Sequence, residues 1–138
     1  MTESILKEYF ENKISSEFLS ADLNGSINKL SYDTSEISVV KMESDSDFEI
    51  QQSHLNKILN DSLNGNLTFD NLKVIASGLM FSECFTWDSD TEIGNRIATV
   101  IAELDNTEIN FPISNENLKL WKEYLETGNH KLISKQKH

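Results

Sequence analysis

The sequence predicts an α+β fold, mostly helical, in which a small three-stranded antiparallel β-meander at about residues 28–51 packs against helices. Three observations predict it. The chain is 138 residues long, the size of one domain with a single core. Apolar residues recur at helical spacing up to about residue 24 and again from residue 53. Between those stretches the apolar period drops to two, and so small a sheet needs a helical layer over its apolar face.

Each element has its own signal. Thr2 is placed to cap a first helix over residues 3–12, with Ile5, Leu6, Tyr9 and Phe10 on its apolar stripe. Ser15 or Ser16 opens a second, short helix through Leu23, with Phe18, Leu19 and Leu23 inward and Asn24-Gly25 as its stop. Leu30 and Tyr32, then Ile37 and Val39, then Phe48 and Ile50 alternate with polar residues, while Asp33-Thr34-Ser35 and residues 43–47 supply turns. Ser53 starts a helix carrying Leu55, Ile58, Leu59 and Leu63, closed by Asn64-Gly65. Thr68 caps the next, with Phe69, Leu72, Ile75, Ala76, Leu79 and Met80 inward and Gly78 where another element packs close. The turn Asp88-Ser89-Asp90 leads to Thr91, the cap of the cleanest amphipathic stripe: Ile93, Ile97, Val100, Ile101 and Leu104. Pro112 ends an extended piece over residues 108–111. Ser114 caps a last helix with Leu118, Trp121 and Leu125 inward and Gly128 as its stop. Residues 1–128 are read as one globular domain and 129–138 as a short, solvent-exposed basic tail.

Charge narrows the function. With 23 acidic and 12 basic residues the net charge is −11, which excludes sequence-independent binding to nucleic acid or an anionic membrane, since both require a basic face. Lys131, Lys135 and Lys137 lie in the tail with no acid, so the first 128 residues carry −14. One cysteine, Cys84, rules out an internal disulfide framework and a Cys-rich zinc site. The N-terminal segment has acids at Glu3 and Glu8 and no apolar run, unlike a secretory leader, and no stretch approaches the roughly 20 apolar residues of a membrane span. A cytoplasmic protein is expected.

No catalytic signature is present. Asp88, Asp90 and Glu92 alternate like the first ligands of a calcium loop, but Ile93 and Thr99 stand where glycine and a bidentate glutamate are required. Asp45, Asp47 and Glu49 fail likewise at Ile50. No metal or cofactor is expected. Cys84 beside Phe85 reads as a buried structural thiol, and His54 as exposed helix surface. There is no phosphate loop, G-x-S-x-G or HExxH, and one arginine, Arg96, is poor equipment for clamping phosphates. Three acidic patches remain: residues 43–49, residues 88–92, and Glu103, Asp105 and Glu108 at a helix end where negative charge is locally unfavourable. Trp87 sits beside the second patch. It either closes the loop over the core or anchors a protein partner that the acids orient.

Residues 66–128, from NLTFDNLKV to LWKEYLETG, resemble bacterial immunity proteins encoded beside contact-dependent growth inhibition and other polymorphic toxins. The resemblance lies in size, charge, helices joined by acidic loops, an Asn- and Pro-containing approach to the helix of Trp121, and the ETG ending. It implies a non-enzymatic cytoplasmic inhibitor that binds one cognate basic toxin domain, commonly a nuclease, and covers its active site or substrate surface. Such a protein is expected to act as a monomer in the complex. The residues themselves nominate Trp87, Asp88, Asp90 and Glu92 first, and Asp45, Asp47 and Glu49 second, as partner contacts. A small acidic secretion chaperone is the alternative, and a carboxylate-dependent enzyme comes third.

Overall fold

The computed structural model describes residues 1–25, 27–29, 35–37, 39–42, 47–107 and 111–134. Among them are six helices: α1 (Glu3–Phe10), α2 (Ser16–Asn24), α3 (Gln52–Leu63), α4 (Phe69–Met80), α5 (Glu92–Asp105) and α6 (Asn115–Thr127). Four helices begin where a hydroxyl in extended backbone accepts an N–H from three residues on. Ser15 accepts from Phe18, Thr68 from Asn71, Thr91 from Gly94 and Ser114 from Asn117. Two expected caps differ. The Thr2 hydroxyl precedes α1 but donates to Asp22 Oδ1 at 2.9 Å and makes no cap bond. Ser53 lies inside α3, whose N-cap, Gln51, donates its N–H to His54 Nδ1 at 2.9 Å.

Helix α4 is the hub, packing most extensively on α5 and also on α2 and α3, while α3 and α5 both pack on α6. Leu72, Val74, Ile75, Ala76 and Leu79 of α4 are buried against Leu55, Ile58 and Leu59 of α3, Ile97, Val100, Ile101 and Leu104 of α5, and Leu118, Trp121 and Leu125 of α6. Gly78 is filled by Met1, whose Sδ a Cβ at that position would meet at 2.6 Å. Phe18, Phe69 and Met80 are not inward as expected; they are 57%, 41% and 41% exposed. Helical period fixes which residues share a face but not how wide an arc the neighbours cover, and these three lie at its edge.

The expected three-stranded antiparallel meander is not formed. Strand β1 (Ile27–Lys29) pairs antiparallel with β2 (Ser35–Ile37), Asn28 opposite Glu36, and no third strand joins them among the described residues. The segment expected to be that third strand contains β3 (Phe48–Glu49), which pairs parallel with β4 (Phe85–Thr86), Phe48 opposite Phe85 and Glu49 opposite Thr86. Phe48 N–H donates to Cys84 O at 2.8 Å and Ile50 N–H to Thr86 O at 2.7 Å. Aromatic packing selects this partner: Phe48 lies edge-on to Phe85 at 5.8 Å and stacks on Phe10 at 6.0 Å. Alternation marks a strand without naming its neighbour, and two-residue β4 is too short to alternate. Val40, which follows the expected strand residues Ile37 and Val39, forms an isolated parallel bridge with Thr2 at the start of α1.

Residues 129–134 lie along the helical body. Leu132 packs on the core, and the Asn117 side chain bonds both the N–H and the C=O of Ile133, at 2.9 and 3.0 Å. Glu103 accepts from Trp121 Nε1 at 3.1 Å and contacts His130 Nε2 at 2.9 Å.

Candidate functional site

The parallel pairing of β3 with β4 brings together two acidic segments that are far apart in sequence. Phe48 and Glu49 lie beside Phe85 and Thr86, so Asp47 and Glu49 come next to the strand that runs on into Trp87 and Asp88. Glu49 and Asp88 line one groove of about 390 Å³, with Ile50, Ile93, Gly94 and Ile97 from the apolar interior and Gln51, Gln52 and Thr91 beside them. Ile50 and Ile97 are buried, so they form the floor; the two carboxylates belong to exposed residues at the rim.

The rim is held by a tight turn. Asp88 C=O accepts the Thr91 N–H at 3.2 Å and its hydroxyl at 2.8 Å, and Asp88 Oδ1 accepts the Asp90 N–H at 3.1 Å. Thr91 Oγ1 in turn accepts the Gly94 N–H at 3.0 Å. Glycine is required at 94, because a Cβ there would overlap the Asp88 carbonyl group. The turn uses one oxygen of the Asp88 carboxylate and leaves Oδ2 without a hydrogen bond among the described residues.

The other nominated residues divide. Trp87 is half-buried and packs against the core, closing the loop. Asp47 and Asp90 are exposed outside the groove lining. Glu92 forms an ion pair with Arg96 one turn along α5, and Arg96 also donates to Leu125 C=O. Asp45 lies outside the described residues. Of the third acidic patch, Glu103 is structural, holding Trp121 and His130, and Glu108 lies outside the described residues. An indole buried on a helix stripe needs an acceptor, which is the signal that pointed to such a partner without naming it.

A second cleft, of about 620 Å³, is lined by Phe10, Asn12, Ser53, His54, Asn56, Lys57, Asn60 and Asp61. Its charged groups engage protein partners. The Tyr9 hydroxyl donates to Asp61 Oδ2, and the Lys57 ammonium donates to Asn12 Oδ1 and lies 4.5 Å from the centre of the Tyr9 ring. Burial, the hydrogen bond to Asp61 and the charge of Asp61 raise the Tyr9 pKa far above the ordinary phenol value. Asn12 holds its position with a left-handed backbone, φ +64°. His54 is not exposed surface as expected: its ring packs 5.1 Å from Phe10 and 5.0 Å from Phe48. Burial, and then the Lys57 charge, lower its pKa.

Among the described residues no group of three or more His, Cys, Asp or Glu could hold a metal ion, and no helix is long and apolar enough to cross a membrane. No known protein family, curated protein or solved structure matches this chain.

Proposed function

We propose that the chain is an immunity-type inhibitor, a cytoplasmic protein that binds one basic toxin domain and covers its active site or substrate surface. The observation that carries this reading is the β3–β4 pairing, which joins two separate acidic segments into one surface around an apolar-floored groove. A toxin domain that acts on nucleic acid must display positive charge for phosphates. A −11 protein attracts such a domain over long range and speeds encounter. Protection of a producing cell requires nanomolar affinity, about −12 kcal/mol. Exposed ion pairs screened within a Debye length of about 8 Å do not supply that, so apolar contact must accompany the acids.

The test begins at the neighbouring open reading frame, where a large secreted protein ending in a basic C-terminal domain is expected, and co-expresses that domain with this chain. Rescue of growth and co-purification are expected. Charge reversal of Asp88 and Asp90 to lysine is expected to weaken the complex and flatten its salt dependence. Unchanged affinity across a salt series would remove this surface from the interface, and failure of the wild-type chain to bind or rescue would remove the inhibitor reading.

A further inference from the structure

We infer that the groove between β3 and the first turn of α5 receives one arginine side chain of the protein partner, its guanidinium between Glu49 and Asp88 and its stem against the partly exposed Ile93, above the buried Ile50 and Ile97. The inference rests on the inhibitor reading and narrows it to a single anchoring contact.

Four features lead to it. The groove combines an apolar floor with carboxylates from two different walls, Glu49 on β3 and Asp88 on the turn before α5. Its volume of about 390 Å³ has room for an entering side chain, which would displace water that an apolar floor holds poorly. Neither carboxylate has a basic partner within salt-bridge distance among the described residues, whereas Glu92 next door is paired to Arg96. Finally, Asp88 is pinned by its own turn and by the missing Cβ of Gly94, so it meets a ligand with little ordering left to do.

Those demands select arginine. A long alkyl stem lies on apolar surface while its cationic head stays at the rim. A guanidinium has five donors in a fixed plane, enough to bond two carboxylates at once, and is more weakly hydrated than an ammonium. Arginine is also among the residues that most often dominate protein interfaces.

Two experiments on the full chain test the contact. In the first, the isotope-labelled protein is titrated at low salt with the capped tripeptide Ac-Gly-Arg-Gly-NH2 and with its uncharged citrulline counterpart. The arginine peptide is expected to shift the Gly94 amide and the methyl groups of Ile93 and Ile97, and citrulline to leave them unmoved. The double variant Glu49→Gln, Asp88→Asn is expected to abolish the shifts while keeping the fold, since asparagine retains the oxygen that accepts the Asp90 N–H. Equal shifts with citrulline, shifts spread over the acidic surface and absent from the groove, or shifts that persist in the double variant would overturn the inference. The second experiment measures affinity for the basic toxin domain. The double variant is expected to bind about tenfold or more weakly, and Glu17→Gln, at an exposed position on α2 outside the nominated contacts, within about twofold of wild type. A double variant that binds like wild type overturns the groove and leaves the inhibitor reading standing. If the wild-type chain binds no basic domain, the inhibitor reading fails, and the peptide titration decides the groove by itself.

Discussion

The Asn117 side chain donates to the carbonyls of Pro112 and Ile133 and accepts the N–H of Ile133, so one amide stands in for a short strand and fastens residues 129–134 to α6. Replacing it with alanine removes the partner of the Ile133 N–H and of the Pro112 and Ile133 carbonyls and unfastens the segment. Asn117→Ala is expected to lose about 2 kcal/mol in urea unfolding and to abolish hydrogen-exchange protection at Ile133. His54 is a second residue whose role composition hides. Its Nδ1 must be unprotonated to accept the Gln51 N–H, and burial holds its pKa below the usual histidine value. Above about pH 6.5 the ring is neutral in both folded and unfolded chains and the bond is intact. As pH falls from there through the lowered folded pKa, the unfolded chain binds the proton first and stability declines. Urea midpoints at pH 7 and pH 5 should show this decline, and His54→Gln should reduce it. Single residues were legible where the reason was local. Cys84 reads as buried from its neighbour Phe85, and it is. The burial of His54 and the bonds of Glu103 come from segments distant in sequence, and no local pattern encodes them.

At the scale of elements, helix starts were the clearest text. Ser15, Thr68, Thr91 and Ser114 sit where their hydroxyls accept the expected N–H, and Gly128 ends α6 at φ +81°. Capping is decided within four residues wherever no distant group intervenes; at Thr2 the hydroxyl bonds Asp22 of α2 instead, which no local pattern encodes. Strand pairing is decided by contacts from elsewhere, and there the expected meander gave way to the parallel β3–β4 pair built on Phe10, Phe48 and Phe85. The acidic segments of the candidate site were visible as two patches; their joining at one groove was not, because it depends on that pairing. The first turn of α5 links element to site. Gly94→Ala would push a methyl group into the Asp88 carbonyl, opening the turn. It is expected to destabilise the protein by about 2 kcal/mol and to weaken binding of the basic partner, although residue 94 contributes no side chain. Denaturant unfolding and binding measured on the same variant check both effects.

For the whole molecule the dominant quantity is the charge of −11. In the proposed complex, long-range attraction acts on approach and is screened by ions, whereas close contact at the groove is expected to govern departure. Raising salt from roughly 50 to 500 mM should therefore slow association with the basic partner about tenfold or more while the dissociation rate changes little, which stopped-flow mixing can resolve. The β3–β4 pair also sets an order of events. Helices α3 and α4 lie between its two strands, so the pair is a non-local contact and is expected to close after those helices have docked. The proposed recognition surface is then expected to assemble late, after the folding barrier. Ile50→Val, at a buried position beside the pair, is expected to speed unfolding and leave the folding rate nearly unchanged in a chevron analysis. A chain caught partway through folding would hold its helices and its full negative charge, and yet have no groove with which to recognise anything.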